Sequence, residues 1–274
     1  MSEIRPLDYR HATVQRLRRL VARRTARDAE GVVVVEGAKI LSEAMQAGVV
    51  IETVFVCPDI GASAEATRVV DEAFGRGARV HILAPGVLER VAGTVTPQPV
   101  LAVVRAPTAT LQDVAVTGLL VVCIDVRDPG NAGTVLRSAE ASGAGGVICC
   151  DGTVDVFNPK CVRASAGAVF HVPVVRGGES VQVLEELRRR GMVRLGMVAR
   201  GGTPYTDVDL TGPTAIVLGN EALGLQDAAR ALLDASVTIP MLGRSDSLNV
   251  GMAAAVVCFE AARQRALSTP ATRA

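Results

Sequence analysis

Leu119-Leu120-Val121-Val122-Cys123-Ile124-Asp125 is an apolar run of strand length that stops at a carboxylate. A helical stretch from Ala132 to Ala141 follows, and Gly146-Val147-Ile148-Cys149-Cys150 is a second strand-like run. Strand, helix, strand is the signature of an α/β architecture with a largely parallel sheet. The rhythm continues with strands expected at His171 to Val175, Val193 to Val198, Thr214 to Leu218 and Val237 to Ile239, and helices at Ser180 to Arg190 and Leu248 to Arg265. It also extends backwards, with strands at Val32 to Val35, Thr53 to Cys57, Val80 to Leu83 and Val100 to Val104, and helices near Gly37 to Ala47 and Ala62 to Phe74. Pro107-Thr108-Ala109-Thr110 is a polar, proline-led break between the two series. We therefore expect two α/β domains, 1–107 and 112–274.

Composition narrows the classes. Of the 274 residues 49% are hydrophobic and 21% charged, which excludes disorder over most of the length. Aromatic residues are 3% with no Trp, too few for a surface built from rows of stacking rings. No apolar run reaches the roughly 20 residues of a membrane helix. The N-terminus is arginine-rich and lacks the apolar stretch of a secretory signal, so a cytoplasmic protein without a membrane partner is expected. Six cysteines (57, 123, 149, 150, 161 and 258) form no C-x-x-C pair and read as small buried hydrophobes, with no zinc-site spacing.

Charge is uneven along the chain. Eight arginines before Asp28 stand against Glu3 and Asp8, a local +6, although the whole chain carries only +1. Val14, Leu17, Leu20 and Val21 recur at helical spacing, which leaves arginines such as Arg16, Arg19 and Arg23 on the outer face. Such a face fits a grip on a phosphate backbone or a solvated helix surface; the basic head on a nearly neutral body favours nucleic acid.

Polar and glycine-rich residues gather beside three strand ends of the second domain, where open α/β sheets place their sites. The first is Asp125-Val126-Arg127-Asp128-Pro129-Gly130-Asn131-Ala132-Gly133 with Arg137 beyond; on spacing alone Asn131 reads as a helix cap. The second is Gly219-Asn220-Glu221-Ala222-Leu223-Gly224-Leu225, where Glu221 either serves a site or favours a helix start. The third is Ile239-Pro240-Met241 through Ser247-Leu248-Asn249-Val250, in which Ser247 and Asn249 are candidate caps or site residues. Dinucleotide fingerprint, P-loop, G-x-S-x-G and H-E-x-x-H patterns are absent from the sequence.

In this order and spacing the three stretches resemble the motifs of the SpoU, or TrmH, family of RNA ribose 2′-O-methyltransferases in the SPOUT superfamily. Val33-Val34-Val35-Glu36-Gly37 with Ile40 and Glu43-Ala44 likewise resembles the opening of that family's small L30e-like substrate-binding domain. The resemblance spans nearly the whole chain. It departs at Ala222 and Gly251, where many relatives have glycine and serine; both exchanges are small for small, and little change in cofactor binding is expected.

The resemblance implies a SPOUT-type catalytic domain with a C-terminal trefoil knot, preceded by the smaller L30e-like α/β domain, and an obligate homodimer. It implies transfer of a methyl group from S-adenosylmethionine to a ribose 2′-hydroxyl, a displacement from a sulfonium that needs no metal. Asn131, Arg137, Glu221, Ser247 and Asn249 are the implied catalytic set. Arg137 would handle the proton together with an RNA phosphate, because a guanidinium alone stays protonated. Ala199, Leu218, Gly219, Asn220, Ile239, Met241 and Leu248 would hold the cofactor, while Arg16, Arg19, Arg23, Glu36 and Lys39 would meet RNA. The extra N-terminal domain favours large-subunit (23S) ribosomal RNA as substrate. A tRNA substrate, or a non-catalytic RNA-binding or assembly factor on the same fold, are the alternatives.

Overall fold

The computed structural model describes residues 5–92 and 96–268. In chain order the elements are α1 (Ala12–Ala22), α2 (Arg24–Glu30), β1 (Val32–Glu36), α3 (Ala38–Gln46), β2 (Ile51–Val56), α4 (Ala64–Gly75), β3 (Arg79–Ile82), α5 (Val87–Val91) and β4 (Val100–Arg105). There follow β5 (Leu119–Cys123), α6 (Pro129–Ala141), β6 (Gly146–Cys149), α7 (Pro159–Ala164), β7 (Val174–Arg176), α8 (Ser180–Arg189) and β8 (Val193–Met197). The chain continues through β9 (Thr203–Pro204), β10 (Thr214–Leu218), α9 (Asp227–Arg230), β11 (Ala235–Thr238) and α10 (Val250–Ser268). Two compact units result: Met1–Pro107 with Asp155–Phe170, and Thr108–Val154 with His171–Ala274. Asp155–Phe170, which the sequence reading puts with the second domain, thus packs into the first unit.

In the first unit α1 buries Val14, Leu17 and Leu20, the stripe its spacing predicts. These side chains join Val32, Val34, Phe55, Leu101 and Val103 in one core. Each fully buried Val or Leu contributes about 1.5–3 kcal/mol. The sheet order is β1-β4-β2-β3, and it corrects the expectation of a largely parallel sheet here. β4 returns between β1 and β2 and runs antiparallel to both, while β2 and β3 are parallel. Strands buried on both faces show no alternation, so their hydrophobic runs carry no sign of direction.

Asp155–Phe170 is tied to this unit by charge as well as packing. Arg27 and Asp155 are both buried and lie 2.5 Å apart. Arg27 also donates to the carbonyls of Leu20 and Val21, and Asp155 accepts from the Phe157 N–H. Buried Glu36 accepts from the Gln98 N–H at 3.0 Å and from Arg163 at 3.0 Å.

The second unit is built on seven strands in the order β7-β6-β5-β10-β8-β11-β9, every pairing parallel, as the sequence reading expects. Leu120, Val122, Ile148, Ala215 and Val217 pack with Leu184, Leu187 and Leu225 in its core. From β5 the chain passes to β6 on one side and later returns as β10 on the other. That reversal opens a crevice at the carboxyl ends of the strands. Among the described residues no helix is long and apolar enough to cross a membrane. No disulfide joins any of the six cysteines, of which five are buried and Cys57 is half-buried.

Candidate active site

A cavity of about 660 Å³ opens where β10, β8 and β11 end, the size of a cleft that encloses a small organic ligand. Its wall includes Met197 at the end of β8 with Val198 and Ala199 beyond it, Leu218 at the end of β10 with residues 219–225 beyond it, and Ile239 and Met241 after β11. Asn131 of α6 and the Ser247 to Val250 turn before α10 complete it. All seven residues expected to hold the cofactor line this cavity, as do Asn131, Glu221, Ser247 and Asn249.

The loop after β10 owes its shape to backbone approach. A Cβ on Gly219 would stand 2.5 Å from the carbonyl carbon of Gly224 and 2.7 Å from the Leu225 nitrogen, so no side chain fits there. Asn220 and Gly224 exchange both backbone hydrogen bonds, at 3.1 and 2.9 Å. The Asn220 Oδ1 accepts from the N–H groups of Ala222 and Leu223, each at 3.0 Å. Glu221 therefore sits in a closed turn and not at a helix start; the next helix begins only at Asp227.

Asp125 anchors this turn from the end of β5. It is buried and has φ +57°, a left-handed conformation that aspartate tolerates better than most residues. Its backbone carbonyl and carboxylate accept from the Asn220 amide at 2.9 and 3.2 Å, and its other carboxylate oxygen accepts from Arg127 Nε at 2.8 Å. Gly152 passes so close that a Cβ there would be 3.1 Å from Asp125 Oδ1. Sequence spacing gave Asp125 no role, because its conformation and its contacts 95 residues away leave no local signal.

Glu221 reaches in the opposite direction. Its carboxylate accepts from the N–H groups of Arg127 and Asp128, at 3.2 and 3.1 Å, and from Asn131 Nδ2 at 3.0 Å. Burial pushes the Glu221 carboxyl up, but these donors outweigh it and hold the group below the usual carboxylate range. An ionised carboxylate with both oxygens engaged is a tether and a poor base.

Asn131 proves to be no cap. Asp128 caps α6, accepting from the Asn131 N–H at 2.9 Å with Pro129 at the first helical position. The Asn131 side chain is free to bridge the other loops: Nδ2 donates to Glu221, and Oδ1 accepts from Asn249 Nδ2 at 2.7 Å. Asn249 does cap α10, accepting from the Gly251 N–H at 2.9 Å. Residues 131, 221 and 249, dispersed in sequence, thus form one chain of side chains beside the cavity. Ser247 is exposed, and its side chain makes no hydrogen bond among the described residues.

Arg137 stands apart. It is exposed on α6 and is not among the residues lining the cavity. Two arginines that the sequence reading passed over, Arg200 and Arg230, do line it, and Arg200 pairs with Asp246. Gly251 shows why this chain has no serine there: a Cβ would come within 2.9 Å of Thr134 Cβ and Cγ2, where α10 packs on α6.

The expected RNA contacts lie in the first unit and differ among themselves. Arg16 is clamped between Glu30 and Glu52, each at 2.7 Å, and Arg19 reaches Glu30 at 3.2 Å. Glu36 is buried in the bonds to Gln98 and Arg163. Arg23, at the break between α1 and α2, and Lys39, on α3, are exposed.

Comparison with known proteins agrees with this arrangement. Residues 118–259 match the SpoU rRNA Methylase family, and residues 11–102 match an MRM3-like substrate binding domain. The chain is 32% identical over 226 residues to the 23S rRNA (guanosine(2553)-2′-O)-methyltransferase RlmP of Bacillus subtilis, covering 82% of this chain and 86% of that protein. It is 40% identical over 183 residues to the 23S rRNA (uridine(2479)-2′-O)-methyltransferase of Streptomyces viridochromogenes, 64% of each. The crystal structure of the SpoU methyltransferase AviRb from that organism, in complex with AdoMet, superposes with a TM-score of 0.83 at 34% identity, covering 94% of this chain and 99% of that one. The AdoMet-bound rRNA methyltransferase of Sinorhizobium meliloti gives 0.81 at 28% identity, covering 94% and 97%. A cavity at the parallel strand ends, three motif loops tied together around it and a match over more than half the chain lead to one assignment: this protein belongs to the SpoU rRNA methylase family.

Proposed function

We infer that the protein is an S-adenosylmethionine-dependent RNA methyltransferase that modifies a ribose 2′-hydroxyl in 23S ribosomal RNA. The observation that carries this reading is the Glu221-Asn131-Asn249 chain beside a cavity whose wall is part apolar, part backbone. The wall fits the cofactor: Leu218, Ile239, Met241 and Leu248 offer apolar surface to an adenine ring, and Gly219 leaves backbone where a side chain would intrude. When bound, S-adenosylmethionine supplies a methyl group on a cationic sulfur that departs as a neutral thioether, so the protein's tasks are in-line placement of the hydroxyl and removal of its proton.

Glu221 is a tether by the geometry above, so the proton must go elsewhere. Asn131 and Asn249 hold their amides at fixed distances from one another and orient the ribose, and the Ser247 hydroxyl is free to donate to it or accept from it. Arg137 pairs with an RNA phosphate, which accepts the proton while the guanidinium balances its charge. Since Arg137 is outside its own chain's cavity, the reading includes a homodimer in which it serves the partner's. Met252 and Phe259, 60% and 51% exposed and seven residues apart on one side of α10, offer an apolar face for such a contact. The C-terminal trefoil knot and a cytoplasmic location belong to the same reading.

Arg137→Ala is expected to lower methyl transfer by at least about 10²-fold, the lower end of what positioned acid–base groups contribute, while cofactor affinity stays within about twofold. Calorimetric titration and a single-turnover assay measure both. Near-normal turnover removes Arg137 from the mechanism, and a monomer in light scattering at assay concentration removes the shared site.

A further inference from the structure

The arginines of the basic head fall into two groups once their partners are known. Arg16, Arg19, Arg24 and Arg27 are held by Glu30, Glu52, Asp28 and Asp155. Arg18 has no carboxylate within ion-pair distance among the described residues. Neither has Arg90, which the sequence places 72 positions away on α5.

These two unneutralised cations converge on one ring. The Arg90 Cζ lies over the Tyr9 ring, 3.8 Å from its centroid, and the Arg18 Cζ lies 5.6 Å away. Both guanidinium groups are exposed, and Tyr9 is half-buried. The scaffold beneath is firm. Leu7 pairs with the backbone at the end of β3, donating to Ile82 at 2.7 Å and accepting from the Ala84 N–H at 2.8 Å. The Tyr9 carbonyl accepts from Gln15 Nε2 of α1. Asp8, next to Tyr9 in sequence, turns its carboxylate to the N–H groups of Arg10 and His11, and exposed Glu89, next to Arg90, makes no ion pair with it.

Two like charges held near one ring, without a counter-charge, repel each other unless an anion joins them. A guanidinium stacked on an aromatic face keeps its N–H edge in the ring plane direction, free to bind phosphate oxygens in the bidentate manner. The pair also lies in an aromatic-poor chain, where Tyr9 is one of two tyrosines. We propose that Tyr9, Arg18 and Arg90 form a site on the first unit for the phosphodiester backbone of the RNA substrate. Arg18 and Arg90 take adjacent phosphates, and Tyr9 fixes their spacing. The proposal rests on the RNA-methyltransferase reading and moves the main RNA contact of α1 from Arg16 and Arg19 to Arg18.

The test compares three variants with the wild-type full chain in fluorescence anisotropy, using labelled, unmodified transcripts that tile 23S rRNA. Arg18→Gln/Arg90→Gln is expected to weaken the tightest tile at least about tenfold at physiological salt. It should also make the slope of log K against log salt shallower by about 1.5, two phosphates at 0.7 to 0.9 each. Arg24→Gln/Arg68→Gln removes the same charge from carboxylate-paired positions of the same unit and should stay within about twofold, with the slope unchanged. Tyr9→Leu keeps both charges and should lose part of the affinity with little change in slope. Thermal unfolding midpoints of all three are to match the wild type; if Tyr9→Leu unfolds early, the double arginine variant decides alone. Equal losses in the two double variants overturn the site and leave the RNA reading standing. A wild-type chain that binds none of the tiles overturns both.

Discussion

The two units of this protein use polar residues in opposite ways. In the second unit Asp125, Asn131, Asn220, Glu221 and Asn249, drawn from three distant loops, hydrogen-bond to one another around a single cavity. In the first unit most ion pairs form locally on the surface, Arg27–Asp155 is buried on both sides, buried Glu36 meets the exposed Arg163, and Arg18 and Arg90 stay unmatched. A shared network fixes atoms to within a fraction of an ångström, as placement of a small ligand requires. Separate surface charges define a broad field, which suits a long polyanion. The same arginine-rich sequence can therefore serve RNA only where its charges are left unmatched.

The buried Arg27–Asp155 pair is the polar contact of the first unit with the largest expected effect. Asp155→Ala leaves the Arg27 guanidinium buried and uncompensated and is expected to cost about 3–5 kcal/mol in denaturant unfolding. Arg27→Met/Asp155→Leu, which removes both charges, should recover most of that loss. If the single variant is as stable as the wild type, the segment 155–170 is not held by this pair.

In the network, Gly219→Ala forces the Gly219–Gly224 turn open and should weaken S-adenosylmethionine binding about 100-fold or more, about 2.7 kcal/mol, read by calorimetry. Binding within a factor of three would show that the turn is not part of the cofactor wall. Gly251→Ser tests a smaller clash, between α10 and Thr134, and is expected to lower stability by about 1–3 kcal/mol.

The smallest effect concerns pH. The Glu221 carboxyl is lowered in the folded protein, so its tether is complete above the unfolded value of about 4.3 and is lost as pH falls through the lower folded value. Cofactor affinity should then be insensitive to this group at neutral pH and fall only in acid below the ordinary carboxylate range, a fall that Glu221→Gln removes. A midpoint near neutrality in the wild type would mean that Glu221 is not held by its three donors.

Much of this was legible in sequence. The β5, β6 and β10 runs, the break after Pro107 and the three motif loops all reveal themselves by composition and order, because a strand buried on both faces must be continuously apolar. Asn158-Pro159, a cap followed by proline, was a readable signal for α7 that the expected elements omit. Other features have no local trace. That α7 packs in the first unit goes with contacts such as Asp155 to Arg27, which span 128 positions. The antiparallel return of β4 leaves no mark in a run buried on both faces. Asn131 looked like a cap, but Asp128 takes that place and frees the amide for the site. Arg16 and Arg18 are indistinguishable as letters; only the position of Glu30 and Glu52 separates them.

The central claim is the reaction itself. Incubating the protein with methyl-labelled S-adenosylmethionine and, separately, unmodified 23S rRNA transcripts, unmodified ribosomal subunits and unmodified tRNA transcripts, then mapping the product nucleotide, measures it directly. Label on a ribose 2′-oxygen at one position of 23S rRNA, with none in tRNA, is the predicted result. Label in tRNA alone would contradict the substrate, and binding of cofactor with no transfer to naked rRNA, ribosomal subunits or tRNA would contradict the reaction.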